Sequence, residues 1–274
     1  MKQRAICLTI VVFIIFTLFG CDSPGQSAGD DPAIVVSKKP QTPEALFTPV
    51  LTYSPSPVST AEEPTPKPTE TPEGMVSLNK DFYFVPLDES IKERITGLSY
   101  PSDDSNAAIS YDDLRYIHIL HVDFEGSTLE GELIVNKNVA EEVMEIFHAL
   151  YVARYPLTSV NLVDNYGEAA DDNISMAANN TSAFNYRVVA GSKKLSMHSY
   201  GLAIDINPLL NPYVKRDGSV SPISGKEYAD RSKDFQGKID HDDLCYKLFI
   251  EHGWTWGGDW KSSKDYQHFS KELD

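Results

Sequence analysis

Leu114, Tyr116, His118, Leu120, Val122 and Phe124 occupy every second position of one stretch, the period of a strand with one face on a core. That pattern predicts a strand over 114–124 with these six residues inward, His118 as a hydrogen-bonded core residue and His121 on the opposite face. Residues 132–135 read as a second strand after a turn region at 126–131. Asn138 followed three residues later by Glu141 resembles a capped helix start. Val139, Val143, Ile146, Phe147 and Leu150 then recur at helical spacing, with His148 off the stripe in solvent and Pro156 closing the helical region. A short strand is expected over 160–163, a polar loop over 167–182, a strand over 184–189 and a turn at Gly191-Ser192. Leu202, Ile204 and Ile206 alternate with Ala203 and Asp205, a half-buried strand that turns Asp205 away from the core. Residues 211–236, rich in Pro, Gly and charge, read as a long loop over one edge. Residues 240–252 read as a second amphipathic helix with Leu244, Leu248 and Phe249 inward and Gly253 as C-cap. His241 and His252 fall at its two ends, His241 on the surface. The mixture predicts an α+β domain, a small and mostly antiparallel sheet with flanking helices.

The start of the chain reads differently. Lys2 and Arg4 precede an apolar run over 6–19, shorter than the roughly 20 residues a membrane span needs. A basic start, a short apolar middle and a small residue at the cut describe an export signal over 1–20. Leu18-Phe19-Gly20-Cys21 resembles a bacterial lipoprotein box, so the expectation is a lipidated Cys21 that anchors an extracytoplasmic domain to the bacterial cell membrane. Residues 21–74 hold eleven of the seventeen prolines and read as a disordered tether, reaching at most about 160 Å at about 3.1 Å per residue. The globular domain is then 75–274. Its one cysteine is Cys245, on an apolar helical face, so no intramolecular disulfide is expected and a buried, inert thiol is. The net charge of −16 speaks against nucleic acid as a partner.

His198 and Asp205, with six residues between them, offer a neutral imidazole and a carboxylate, two donors suited to zinc. A hydrolytic zinc site keeps three protein ligands and one open position, and His268 near the end of the chain can supply the third. Such an ion lowers the pKa of a bound water from about 15.7 to about 7. Asp265, three residues before His268, is a candidate general base; on a regular strand the two would face opposite sides, so a turn or bulge is expected at Tyr266-Gln267. On spacing alone, polar loop residues without a metal remain the alternative.

Ser196-x-His198-x-x-Gly201-x-Ala203-x-Asp205 closely resembles the metal motif of the D-alanyl-D-alanine carboxypeptidase metallopeptidases of the VanY type. The resemblance extends to Tyr186-Arg187, to Gly253-Trp254-Thr255-Trp256-Gly257-Gly258-Asp259-Trp260 and to Asp265-x-x-His268-Phe269, and covers most of 110–270. It implies a D-Ala-D-Ala peptidase/hedgehog-like zinc peptidase fold, with His198, Asp205 and His268 on Zn2+, Asp265 as base and Arg187 holding the substrate or the developing oxyanion. Ser196 would orient the loop or a ligand. Asp259 would accept from a ligand imidazole or serve a turn, and the three tryptophans would line a groove or pack beneath the site. Many members of the family carry Glu where this chain has Asp265; Asp is familiar in the related wall-lytic L-alanyl-D-glutamate endopeptidases. The resemblance therefore implies a zinc metallopeptidase of peptidoglycan stem peptides, with removal of terminal D-alanine leading and endopeptidase cleavage following. A non-catalytic wall-binding lipoprotein is the contrasting class, and it has no need of Asp265. A zinc carrier would show clustered histidines, which the chain lacks.

Overall fold

Residues 72–167, 169–189 and 191–273 are described by the computed structural model. The expected export signal, Cys21 and nearly all of the tether lie outside the described residues. Strands β1 (Val76–Asn79) and β2 (Phe82–Pro86) lead into helix α1 (Glu89–Ile95), and β3 (Leu114–Val122) and β4 (Thr128–Asn136) lead into α2 (Ala140–Val152). The four strands form an antiparallel sheet in chain order, and β3 pairs with β4 from Leu114 opposite Asn136 to Val122 opposite Thr128.

This sheet is covered on both faces, which corrects the expected orientation of β3. Ile117 and Ile119, not Tyr116, His118 and Leu120, are fully buried against α2, together with Leu133 and Val135 of β4. The opposite face meets a second cluster built from Leu87, Ile95, Tyr100, Leu114, Ile134 and Phe184. Alternation cannot choose a side when both sides carry apolar bulk. Polar atoms make the choice visible: the Tyr116 hydroxyl donates to Glu132 at 3.2 Å, and His118 Nδ1 meets the Asp81 carbonyl at 3.0 Å. His121 is the buried histidine, its Nδ1 against the Leu157 carbonyl at 3.0 Å. The turn lies at 123–127, so Gly131 belongs to β4, where a Cβ would sit 2.9 Å from that of Val160. The stripe on α2 is buried as expected, joined by Ala140 and Met144. The Asn138–Glu141 cap does not form; Val139 is the N-cap residue, without a side-chain bond. His148 is half-buried, edge-on to Phe82 with ring centres 4.9 Å apart.

The second half is built from short pieces. They are β5 (Ser159–Val160), α3 (Asp172–Ala177), β6 (Asn180–Thr181), β7 (Ala203–Asp205), β8 (Tyr213–Val214) and β9 (Val220–Ser221). After them come α4 (Leu244–Glu251), β10 (Thr255–Trp256), β11 (Lys264–Asp265) and β12 (His268–Ser270). They pair as β10-β12-β7 and β11-β8-β9, both antiparallel, and as a parallel β5-β6. Three expectations are corrected. The expected polar loop at 167–182 contains α3, whose N-cap Asp171 accepts from Asn173 and Ile174. Residues 184–189 form no strand, because successive N–H groups bond to Ile134, His198, Ser99 and Ser199 instead of one neighbour. The loop at 211–236 carries the β8–β9 hairpin. In α4, capped by Asp243, Cys245 and Phe249 face inward while Leu244 is 39% exposed. Phe249 stacks on Phe269 at 4.3 Å, and burial pushes the Cys245 thiol well above its ordinary pKa, leaving it inert. The architecture is α+β, with antiparallel sheets and few helices. Among the described residues no helix is long and apolar enough to cross a membrane.

Candidate metal centre

Pairing of β12 with β7 places His268 directly opposite Asp205, and Phe269 opposite Ile204. Ile204 and Phe269 are fully buried in the core, so the pleat turns Asp205 and His268 to the other face. Directly opposed residues have Cβ atoms about 5 Å apart, close enough to share an ion. His198 comes from a 3-10 turn, Met197–Tyr200, just ahead of β7. Ser196 caps the turn, its hydroxyl accepting from His198 N at 3.3 Å, the loop-orienting role expected of it. Gly201 closes the turn at φ +64°, where a Cβ would lie 2.5 Å from Asn136 N. The glycine of the motif is thus required both by its backbone angle and by the approach of β4.

His268 Nδ1 lies 3.0 Å from Asp205 Oδ1, His198 Nε2 lies 3.3 Å from Asp205 Oδ2, and the two ring nitrogens are 3.3 Å apart. All three residues are buried, and their ligand atoms lie within 4.8 Å of one another. Donors about 2.1 Å from a tetrahedral ion are about 3.4 Å apart, so this triangle fits one metal ion. His198 Nδ1 donates to the Ala183 carbonyl at 2.5 Å; a carbonyl only accepts, so the lone pair is on Nε2, facing the centre. Burial disfavours a charged His198, yet Asp205 outweighs it and raises the imidazole's pKa. Burial likewise opposes the Asp205 carboxylate, but His198 and His268 hold its pKa far below the ordinary range. The group can hold a metal ion.

Between β11 and β12 the chain leaves one sheet and joins another, pairing Asp265 with Tyr213 and His268 with Asp205. This change at Tyr266-Gln267 is the break in the strand that the spacing called for, and it brings Asp265 and His268 to one cavity. Asp265 is buried and its Oδ1 has no partner. Burial is the main cause that pushes its carboxyl up to about 7, with His268 pulling down and Asp205 pushing up. Gly257 packs on it so closely that a Cβ there would meet the Asp265 carbonyl oxygen at 2.6 Å. Arg187 lines the same cavity; its NH2 group pairs with Asp172 Oδ2 at 2.7 Å, and its buried Nε has no partner.

The cavity measures about 760 Å³, within the usual size of ligand sites. Exposed Lys194 and Lys215 also line it. Trp260, 39% exposed, lies 5.4 Å from the His268 ring and lines the cleft, whereas Trp254 and Trp256 are buried and bond to Glu142 and the Tyr266 carbonyl. Asp259 accepts from His241 at 2.8 Å, not from a ligand imidazole. Sequence reasoning missed Asp172 and Gln267. Asp171-Asp172 ahead of Ile174 signals a helix start, but nothing in it points to Arg187, and Gln267 reads as a spacer within the motif.

Residues 190–271 match the family model described as D-alanyl-D-alanine carboxypeptidase, a segment that includes His198, Asp205, Asp265 and His268. Arg187 and the four-stranded sheet lie ahead of it. Searches of the curated proteins and of the solved structures gave no significant match. Over residues 190–271 the chain is thus similar to the D-alanyl-D-alanine carboxypeptidase family of VanY-like peptidases, the family its motifs resemble.

Proposed function

We propose that the protein is a zinc-dependent peptidase that hydrolyses peptidoglycan stem peptides by removing terminal D-alanine, on a hedgehog-like peptidase fold. The observation that carries this reading is the convergence of His198, Asp205 and His268 at 3.0–3.3 Å in a cavity shared with Asp265 and Arg187. Two imidazoles and a carboxylate are a common hydrolytic donor set for zinc. Zinc, when bound, supplies a Lewis acid that activates water and polarises the scissile carbonyl. Asp265 is the general base: its buried Oδ1, without a partner, takes the proton from the attacking water and returns it to the leaving amine. Arg187 steadies the substrate or the negative charge that grows on the carbonyl oxygen, a task suited to a guanidinium fixed on one side by Asp172.

Arg187, Lys194 and Lys215 line the cleft together with Asp172, Asp205 and Asp265, and the two exposed lysines are placed to meet carboxylates of a stem peptide. In the proposed organisation, residues 1–20 are an export signal, Cys21 carries the lipid, 21–74 form the tether and 75–274 the peptidase domain. The basic start, the short apolar run, the cysteine after Gly20 and the proline density support it. Asp265 in place of Glu favours a second reading, L-alanyl-D-glutamate-type endopeptidase cleavage. Defined muropeptides incubated with the protein, with and without chelator, separate the readings by product mass. Loss of one alanine is the expected result. Internal fragments establish the endopeptidase, and no product under any metal condition leaves a wall-binding lipoprotein.

A further inference from the structure

Among the described residues three buried side-chain atoms lack a hydrogen-bond partner: Arg187 Nε, Asp265 Oδ1 and Gln267 Oε1. All three side chains line the cavity of the metal centre. The first two have tasks in the reaction proposed above; Gln267 has none. Its side chain is held in place. Gln267 is 3% exposed, its carbonyl accepts from Ile206 N at 3.0 Å, and the sheets on either side fix Asp265 and His268 around it. Its Nε2 donates to the Met176 thioether at 3.4 Å. A thioether sulfur only accepts, so the nitrogen end of the amide faces Met176 and the oxygen end is left over. A buried amide oxygen is costly to leave unbonded, so one that lines a ligand cavity calls for a donor on the ligand. An occupant that meets all three atoms brings an acceptor to Arg187 and a donor to Gln267, which is what a peptide backbone carries.

We propose that Gln267 Oε1 accepts a main-chain N–H of the bound peptide beside the bond to be cut, making Gln267 a substrate-binding residue. The assignment rests on the peptidase reading. It is tested with the full zinc-loaded chain on a stem peptide and on analogues in which each amide N–H except the scissile one is replaced, one at a time, by an ester oxygen. Gln267→Met keeps the length and removes the acceptor, while Gln267→Glu keeps an acceptor. The expected result is a loss of about tenfold or more in kcat/KM for Gln267→Met on the all-amide peptide, with one equivalent of zinc retained. One ester analogue should cost the wild-type chain a similar factor and cost Gln267→Met nothing further, and Gln267→Glu should recover part of the loss. An equal loss for Gln267→Met on every analogue, or no loss on any, overturns the assignment. Should Gln267→Met fail to fold, a wild-type ester series without a penalty at any position overturns it as well. A wild-type chain that cuts none of the peptides overturns the peptidase reading first, and this assignment with it.

Discussion

Asp265 is buried near His268 and Asp205, and its buried Oδ1 has no hydrogen-bond partner. Its effect on the protein therefore depends on what enters the cleft. Asp265→Ala should abolish turnover and still bind one zinc by metal analysis; loss of zinc would make Asp265 a ligand instead of a base. Arg187 depends on Asp172 in a similar way. Asp172→Asn should lower kcat/KM about tenfold while leaving zinc content unchanged, and Asp172→Glu should recover part of it. Equal activity in Asp172→Asn would mean that the 2.7 Å pair does not position the guanidinium. The candidate ligands were legible in the sequence through the resemblance of Ser196–Asp205 and Asp265-x-x-His268 to a known metal motif, spacing alone leaving metal-free loop residues as the alternative. Asp172 and Gln267 were not, because each acquires its role from a neighbour in space. Asp172 meets Arg187 only because α3 folds where the polar sequence suggested a loop, and the free oxygen of Gln267 is defined by Met176.

At the scale of elements, the centre depends on two short strands and one turn. The β7–β12 register makes His268 and Asp205 neighbours, and the turn closed by Gly201 delivers His198. Gly201→Ala puts a Cβ against the backbone of β4 in a left-handed conformation, so it should cost at least about 2 kcal/mol. Denaturant unfolding checks the stability and metal analysis checks zinc, which should be lost in part; an unchanged midpoint and full zinc would show that the turn tolerates a side chain. The strand periodicity found β3 and missed its inward face, because α2 covers one side and the Tyr100 cluster the other. The stretch at 184–189 looked like a strand for its apolar content, but its backbone donors are shared among four separate partners. Propensity alone does not reveal such a division.

For the whole molecule, the α+β class and the helical stripe on α2 followed from periodicity, since burial on one face leaves a direct mark on the sequence. Of the short strands that assemble the centre, β7 showed its period through Leu202, Ile204 and Ile206, whereas β11 and β12 left little mark, because two or three residues are too few to show one. Stability depends on groups remote from the cleft as well. Burial, the largest influence on His121, keeps its imidazole below the ordinary pKa of 6.5. A histidine whose pKa falls on folding adds stability above its unfolded pKa and loses it as the pH drops through the folded value. His121→Gln should therefore flatten the decline in unfolding free energy below about pH 6.5, compared with wild type in urea titrations. Parallel declines would show that His121 plays no part in it.

The central claim is that His198, Asp205 and His268 hold the ion on which hydrolysis depends. It is tested most directly by stripping the protein of metal and titrating zinc back while following muropeptide cleavage by product mass. Cleavage should be absent at the start, rise to a break at one equivalent per chain, and stay absent at every zinc level in His268→Ala. Full cleavage by the stripped protein, or a wild-type response in His268→Ala, would contradict it.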